Sequence, residues 1–278
     1  MTTARIDARF AALKAEGRAA FVAYVMAGDP DYAKGLEILK GLPAAGADVI
    51  EVGFPFSDPM AEGPPIQRAA LRALDKGMTL SRTLEMIAEF RQFDQTTPIV
   101  LMGYANPLVT RGFQTFARDA AAAGADGLIV VDIPPEEADP LADALDAEHL
   151  SLLLLSTPTS DDARLKIILK RTSGFAYYVS VAGVTGVKEA DAAVVAPHVA
   201  RVRAAGGLPV CVGFGIKTPE RAAAVARVAD GVVVGSALVD EIAKAVEMNE
   251  DVTERVLSKV TSLAKAVRSA RVGQETTV

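Results

Sequence analysis

A single cysteine, Cys211, leaves this chain no intrachain disulfide. MTTARIDARF carries no leader-like apolar stretch, so the expected compartment is the reducing cytoplasm. Long apolar runs are missing as well, and none approaches the roughly 20 residues of a membrane span. There is no tryptophan, and the two histidines, His149 and His198, lie far apart. Without cysteine partners they offer no metal-ligand spacing. A basic excess is absent too: 29 Lys and Arg stand against 35 Asp and Glu, a net charge of −6. That argues against a nucleic-acid or anionic-membrane surface, though not against a local anion site. What the chain has in plenty is apolar side chains. Half of its 278 residues are hydrophobic, a size and composition that suit one α/β barrel.

Eight short apolar runs recur, at 20–28, 47–54, 99–104, 125–132, 150–158, 174–181, 209–216 and 230–238. They are continuous rather than alternating, the pattern of parallel strands covered on both faces. Most begin 21 to 35 residues after the run before, enough for a strand, a helix and two turns. The gap from 47 to 99 is about double and holds two helical stretches, PPIQRAALRALDKG and LSRTLEMIAEF. The second puts Leu80, Leu84 and Ile87 on one face. AAGADVIEVG, AAAGADGLIVVD and VARVADGVVVG share one shape: a helix end of small residues, a turn carrying Asp, then a strand, with Gly as the helix stop. RIDARFAALKAEG aligns Ile6, Phe10 and Leu13, an extra helix expected to plug the end where strands begin. The expectation is a single (β/α)8 TIM-barrel domain over 1–278, with a capping helix at 1–16, an insertion after the second strand and a frayed tail at 269–278. A doubly wound open sheet is the alternative.

In a barrel, chemistry sits where strands end. Two groups of residues stand there. Glycines follow the sixth, seventh and eighth runs, in GVTG, GFG and GSA. Gly lets backbone N–H groups approach a phosphate, and GSALVDE opens a helix whose N-terminus favours an anion. The expected donors are Gly186, Gly215, Gly235 and Ser236; ordinary turns are the alternative. The second group is acidic. Glu51 lies inside an apolar strand, where burial would raise its pKa and make it a proton donor near neutral pH. Alternatively it points outward and pairs with an arginine. Asp58 in FSDP reads as a loop or cap residue. Glu62 in AEGPP is a solvated loop acid or a second catalytic acid. Asp132 in VDIPP orients a loop or touches substrate. No strand contains Lys, and Lys188 and Lys217 fall in loops, so a Schiff-base aldolase of the usual barrel type is unsupported. Tyr24, Ile66, Met102, Tyr104, Tyr177 and Phe214, near strand ends, suggest a flat hydrophobic group on the substrate; each would otherwise be core.

These residues resemble a known family. GDP at 28–30, EVGFPFSDPMAEGPPIQ, MGYANP, VDIPPEE, VSVAGVTG, GFGI and VGSALV, in this order, are similar to the tryptophan synthase alpha chain from about residue 5 to 268. The resemblance implies a cofactor-free retro-aldol cleavage of indole-3-glycerol phosphate to indole and glyceraldehyde 3-phosphate. It implies that Glu51 protonates the indole carbon and takes the glycerol hydroxyl proton. The acid that meets the indole N–H falls at Glu62, where the family usually has Asp in ADGP; Glu reaches one methylene further. AGVTGVKEADA resembles the family's lid, with Thr185 meeting the Glu62 loop on closure. A pyridoxal-phosphate-dependent beta chain is implied as partner, in an alpha2beta2 assembly, with Asp58 and Pro59 at the contact and the cofactor held by the beta chain alone.

Other readings stay open. Indole-3-glycerol phosphate synthase needs strand-end lysines that are absent here. Phosphoribosylanthranilate isomerase needs an early-strand cysteine. A non-catalytic barrel that binds the phosphate ligand only to activate its partner, and a stand-alone lyase that releases free indole, are alternatives from sequence.

Overall fold

The computed structural model describes residues 4–180, 192–213 and 215–272. Its strands are β1 (Ala20–Met26), β2 (Val49–Gly53), β3 (Ile99–Gly103), β4 (Gly127–Val130), β5 (Ser151–Leu152), β6 (Leu155–Ser156), β7 (Ala176–Val179), β8 (Val210–Gly213) and β9 (Gly231–Val234). All pair in parallel in the order β5-β4-β3-β2-β1-β9-β8-β7-β6. The two ends of that order, β5 and β6, come from one apolar run. Its first half pairs with β4 and its second half with β7. The run expected as one fifth strand is thus two pieces that close the sheet on itself as a TIM-barrel-like ring, and the open-sheet alternative fails.

The insertion after β2 holds two helices, α3 (Pro64–Asp75) and α4 (Leu80–Phe93). Thr79 caps α4 by accepting the Arg82 N–H at 3.2 Å. α2 (Tyr32–Ala45) starts at Asp31, which accepts the Lys34 N–H at 2.9 Å, and stops at Gly46 with φ 109°. α6 (Phe113–Ala123) stops at Gly124 in the same left-handed form. At both helix stops the left-handed backbone favours a residue without Cβ. The third segment of the repeat differs, because α10 (Pro219–Ala226) ends on Arg227 with no glycine.

The repeat's aspartates have a shared job that the sequence did not disclose. Asp48 accepts the Phe21 N–H at 2.8 Å, Asp126 the Ile99 N–H at 2.8 Å and Asp230 the Val210 N–H at 2.9 Å. Each carboxylate thus satisfies a donor in the first two residues of a neighbouring strand, and each also meets arginine. Arg18 and Arg9 reach Asp48, Arg91 and Arg5 reach Asp126, and Arg203 reaches Asp230. Arg5 and Arg9 belong to α1 (Ala4–Ala15), whose Ile6, Phe10 and Leu13 are buried. Phe10 meets Phe175, just before β7, at 5.5 Å between ring centroids. The first helix therefore lies across the strand-start end. α12 (Val252–Ser269) packs on α2 and α10. Beyond it, Arg271 donates to the carbonyls of Ala226 and Ala229, while residues 273–278 of the expected tail lie outside the described residues. No helix among the described residues is long and apolar enough to cross a membrane.

Candidate active site

Side chains of partnered residues in a parallel ladder share a face. Tyr24 of β1 is aligned with Glu51 of β2, and Glu51 with Val100 of β3. Met102, two residues beyond Val100, shares their face. All of these point into the ring. There Glu51, Tyr24, Met102, Tyr177, Glu62, Ile66, Gly215, Gly235 and Ser236 line one cleft of about 480 Å³, its open mouth included, together with Ile216 and Val233. Those last two were missed. The pleat could have found Val233, since it partners Val22 and so has Tyr24's parity, but a continuously apolar run hides parity.

Glu51 is 1% exposed, and among the described residues neither of its carboxyl oxygens has a hydrogen-bond partner. The outward, arginine-paired alternative is therefore excluded. Burial pushes its carboxyl up to about 8, and the neighbouring Glu62 charge adds to the rise. Glu62 is itself buried, not a solvated loop acid, and burial pushes it up to about 7. Tyr24 and Tyr177 are held well above the usual phenol range by burial and by both glutamates, so they stay protonated as hydrogen-bond donors.

Glycines at strand ends make room for these tyrosines. A Cβ on Gly53 would stand 2.2 Å from the Tyr24 hydroxyl, and one on Gly213 2.4 Å from the Tyr177 hydroxyl. Ser236 opens α11 (Ser236–Met248), so a helix N-terminus faces the cleft beside Gly235 and Gly215. Such an end suits a phosphate.

Not every expected residue reaches the cleft. Tyr104 is buried outside its walls; its hydroxyl accepts the Ala61 N–H at 3.0 Å and its ring stacks on Phe56. Asp132 also stands outside, accepting the Ala105 N–H at 2.8 Å where α5 (Ala105–Arg111) begins. Asp58 is exposed and caps no helix; it accepts the Ser57 hydroxyl, and Met60 beside it is 76% exposed. Pro59 is half-buried. Asp29, in the loop after β1, is gripped by Arg72 of α3 at 2.7 and 2.8 Å. Thr185, Gly186, Phe214 and the expected lid lie outside the described residues. Among the described residues no group of three His, Cys, Asp or Glu side chains could hold a metal ion.

Comparison with known proteins places the chain in a family. The family model described as tryptophan synthase alpha chain matches residues 10–268. The tryptophan synthase alpha chain of Phenylobacterium zucineum (strain HLK1) is 75% identical over 99% of both chains. That of Caulobacter vibrioides (strain NA1000 / CB15N) is 70% identical over 98% of this chain and 99% of its own. The crystal structure of tryptophan synthase subunit alpha from Legionella pneumophila str. Paris superposes with a TM-score of 0.89 at 41% identity, covering 96% of this chain and 98% of that one.

Proposed function

The chain belongs to the tryptophan synthase alpha chain family, and so is a lyase of tryptophan biosynthesis that cleaves indole-3-glycerol phosphate to indole and glyceraldehyde 3-phosphate; from that premise we propose that Glu51 carries the proton and Glu62 meets the indole N–H. The reaction needs a proton on the ring carbon that bears the side chain. Protonation there leaves an electron-poor, indolenine-like ring. The hydroxyl on the attached carbon then loses its proton and becomes the aldehyde carbonyl. The carbon–carbon bond breaks, and its electron pair restores the aromatic ring.

Glu51 suits both transfers. With its carboxyl near 8 it holds a proton at neutral pH, and once it has given that proton it is the base for the hydroxyl. Glu62, near 7, is readily ionised and would accept the indole N–H while offsetting the ring's developing charge. The observation that carries the reading is the partnerless, buried Glu51 carboxyl in one cleft with Glu62. Tyr24, Ile66, Met102 and Tyr177 would wall the flat ring, with Phe214 and Thr185 joining them. Gly215, Gly235 and Ser236, with Gly186, would hold the phosphate.

The family implies a beta-chain partner. We assign the exposed Asp58 and the adjoining Pro59 to that contact in an alpha2beta2 assembly in the cytoplasm, with pyridoxal phosphate confined to the beta chain. The test is glyceraldehyde 3-phosphate production from indole-3-glycerol phosphate, with and without a beta chain. Turnover should rise with the beta chain and fall roughly 10²- to 10⁴-fold in Glu51→Gln. Ligand binding without turnover would leave only an activator of the partner. Turnover surviving Glu51→Gln would put the proton on another group.

A further inference from the structure

Glu62 hangs on a short loop between β2 and α3, and its value depends on where that loop sets it relative to Glu51. Within the loop the Glu62 N–H donates to the Pro59 carbonyl at 3.1 Å and the Met60 N–H to the Asp58 carbonyl at 2.9 Å. Ser57, Asp58, Met60 and Ala61 are exposed. Gly63 brings α3 no capping side chain, and Pro64 and Pro65 bring no N–H. Two side chains from outside the loop add to this turn. On one flank Gln67 of α3 turns back, its Nε2 donating to the Glu62 carbonyl at 2.9 Å and to the Pro59 carbonyl at 3.4 Å. On the other flank the Tyr104 hydroxyl accepts the Ala61 N–H at 3.0 Å. Tyr104 is fixed in turn by its stack on Phe56, at 5.2 Å, and by the bond from the next residue's N–H to Asp132.

We propose that Gln67 and Tyr104 are positioning residues for Glu62: a two-sided clamp on residues 59–63 that sets where the carboxylate stands, Tyr104 acting through the loop backbone rather than on substrate. The inference rests on the reading of Glu62 as the second acid. A side chain with three torsions needs a fixed backbone to present one geometry, and misplacement by about 1 Å can cost a large factor in rate.

The test uses the full chain with a beta chain, comparing Tyr104→Phe, Gln67→Leu and Gln67→Glu with the parent and Glu62→Gln. Tyr104→Phe keeps the ring and its stack. Gln67→Glu keeps the shape but turns a donor into an acceptor facing two carbonyls, so it should behave like Gln67→Leu. Each substitution should lower kcat about tenfold with KM within about twofold, and raise amide hydrogen exchange at Ala61 and Glu62. In a Glu62→Gln background the same changes should cause no further loss. Unchanged kcat in Tyr104→Phe and Gln67→Leu, or losses that multiply with Glu62→Gln, would overturn the clamp. Parental turnover in Glu62→Gln would instead sink the reading of Glu62, while the exchange at Ala61 and Glu62 would still decide whether the clamp exists.

Discussion

The two ends of the barrel treat buried carboxylates in opposite ways. Where strands begin, the Asp48 and Asp126 side chains are 1% and 0% exposed, yet each is surrounded by arginines and a strand N–H. Where strands end, Glu51 is as deeply buried and has no hydrogen-bond partner among the described residues. A paired buried charge is tolerated and ties elements together; an unpaired one is forced toward its neutral form. The first arrangement holds the ring shut. The second stores a proton at the mouth and gives up stability for it.

The sharpest way to break this comparison is to delete a base acid. Asp126→Ala strands the buried Arg91 guanidinium and the Ile99 N–H. It should cost about 3–5 kcal/mol in urea unfolding, with turnover per folded molecule nearly unchanged; a cost under about 1 kcal/mol would mean the base pairs do not hold the barrel. Glu51→Gln should act with the opposite sign. Its folded pKa, near 8, lies above the ordinary value of 4.5, so between those values the folded chain holds a proton that the unfolded chain releases. Stability from this group is full below pH 4.5 and is lost as pH rises through about 8. The substitution should therefore stabilise on the order of 5 kcal/mol at pH 9 and little at pH 4; a gain independent of pH would show that titration is not the cause.

Gly213→Ala tests the mouth's packing. Its Cβ would collide with the Tyr177 hydroxyl, costing about 1–3 kcal/mol, and Tyr177→Phe should recover part of that in a double-mutant cycle. Smallest is the pH response. Glu51 must be protonated and Glu62 ionised, so kcat/KM should form a narrow bell with limbs near 7 and 8, belonging to the coupled pair. Inside that window the variation should be only about twofold. Glu62→Gln should erase the acid limb; a limb that persists would belong to another group.

Much of this was legible in the chain because parallel strands bury both faces and so declare themselves as apolar runs. The split of the 150–158 run was not, since each half is defined by a different neighbour. α5 was not among the elements expected from sequence. Tyr24 and Tyr104 looked alike as tyrosines near strand ends. Tyr24 lies within β1 and faces the ring, whereas Tyr104 leads into α5 and supports the Glu62 loop from outside the cleft.

By itself, then, the sequence determined the run of strands, the plug helix and the presence of an acid inside β2, because local composition and periodicity suffice for those. Whether a given buried acid is paired or alone was decided only by the tertiary structure. Asp126 takes its two arginines from positions 35 and 121 residues away, whereas the described residues that share Glu51's cleft are two tyrosines, apolar side chains, a second glutamate, two glycines and a serine, with no arginine among them.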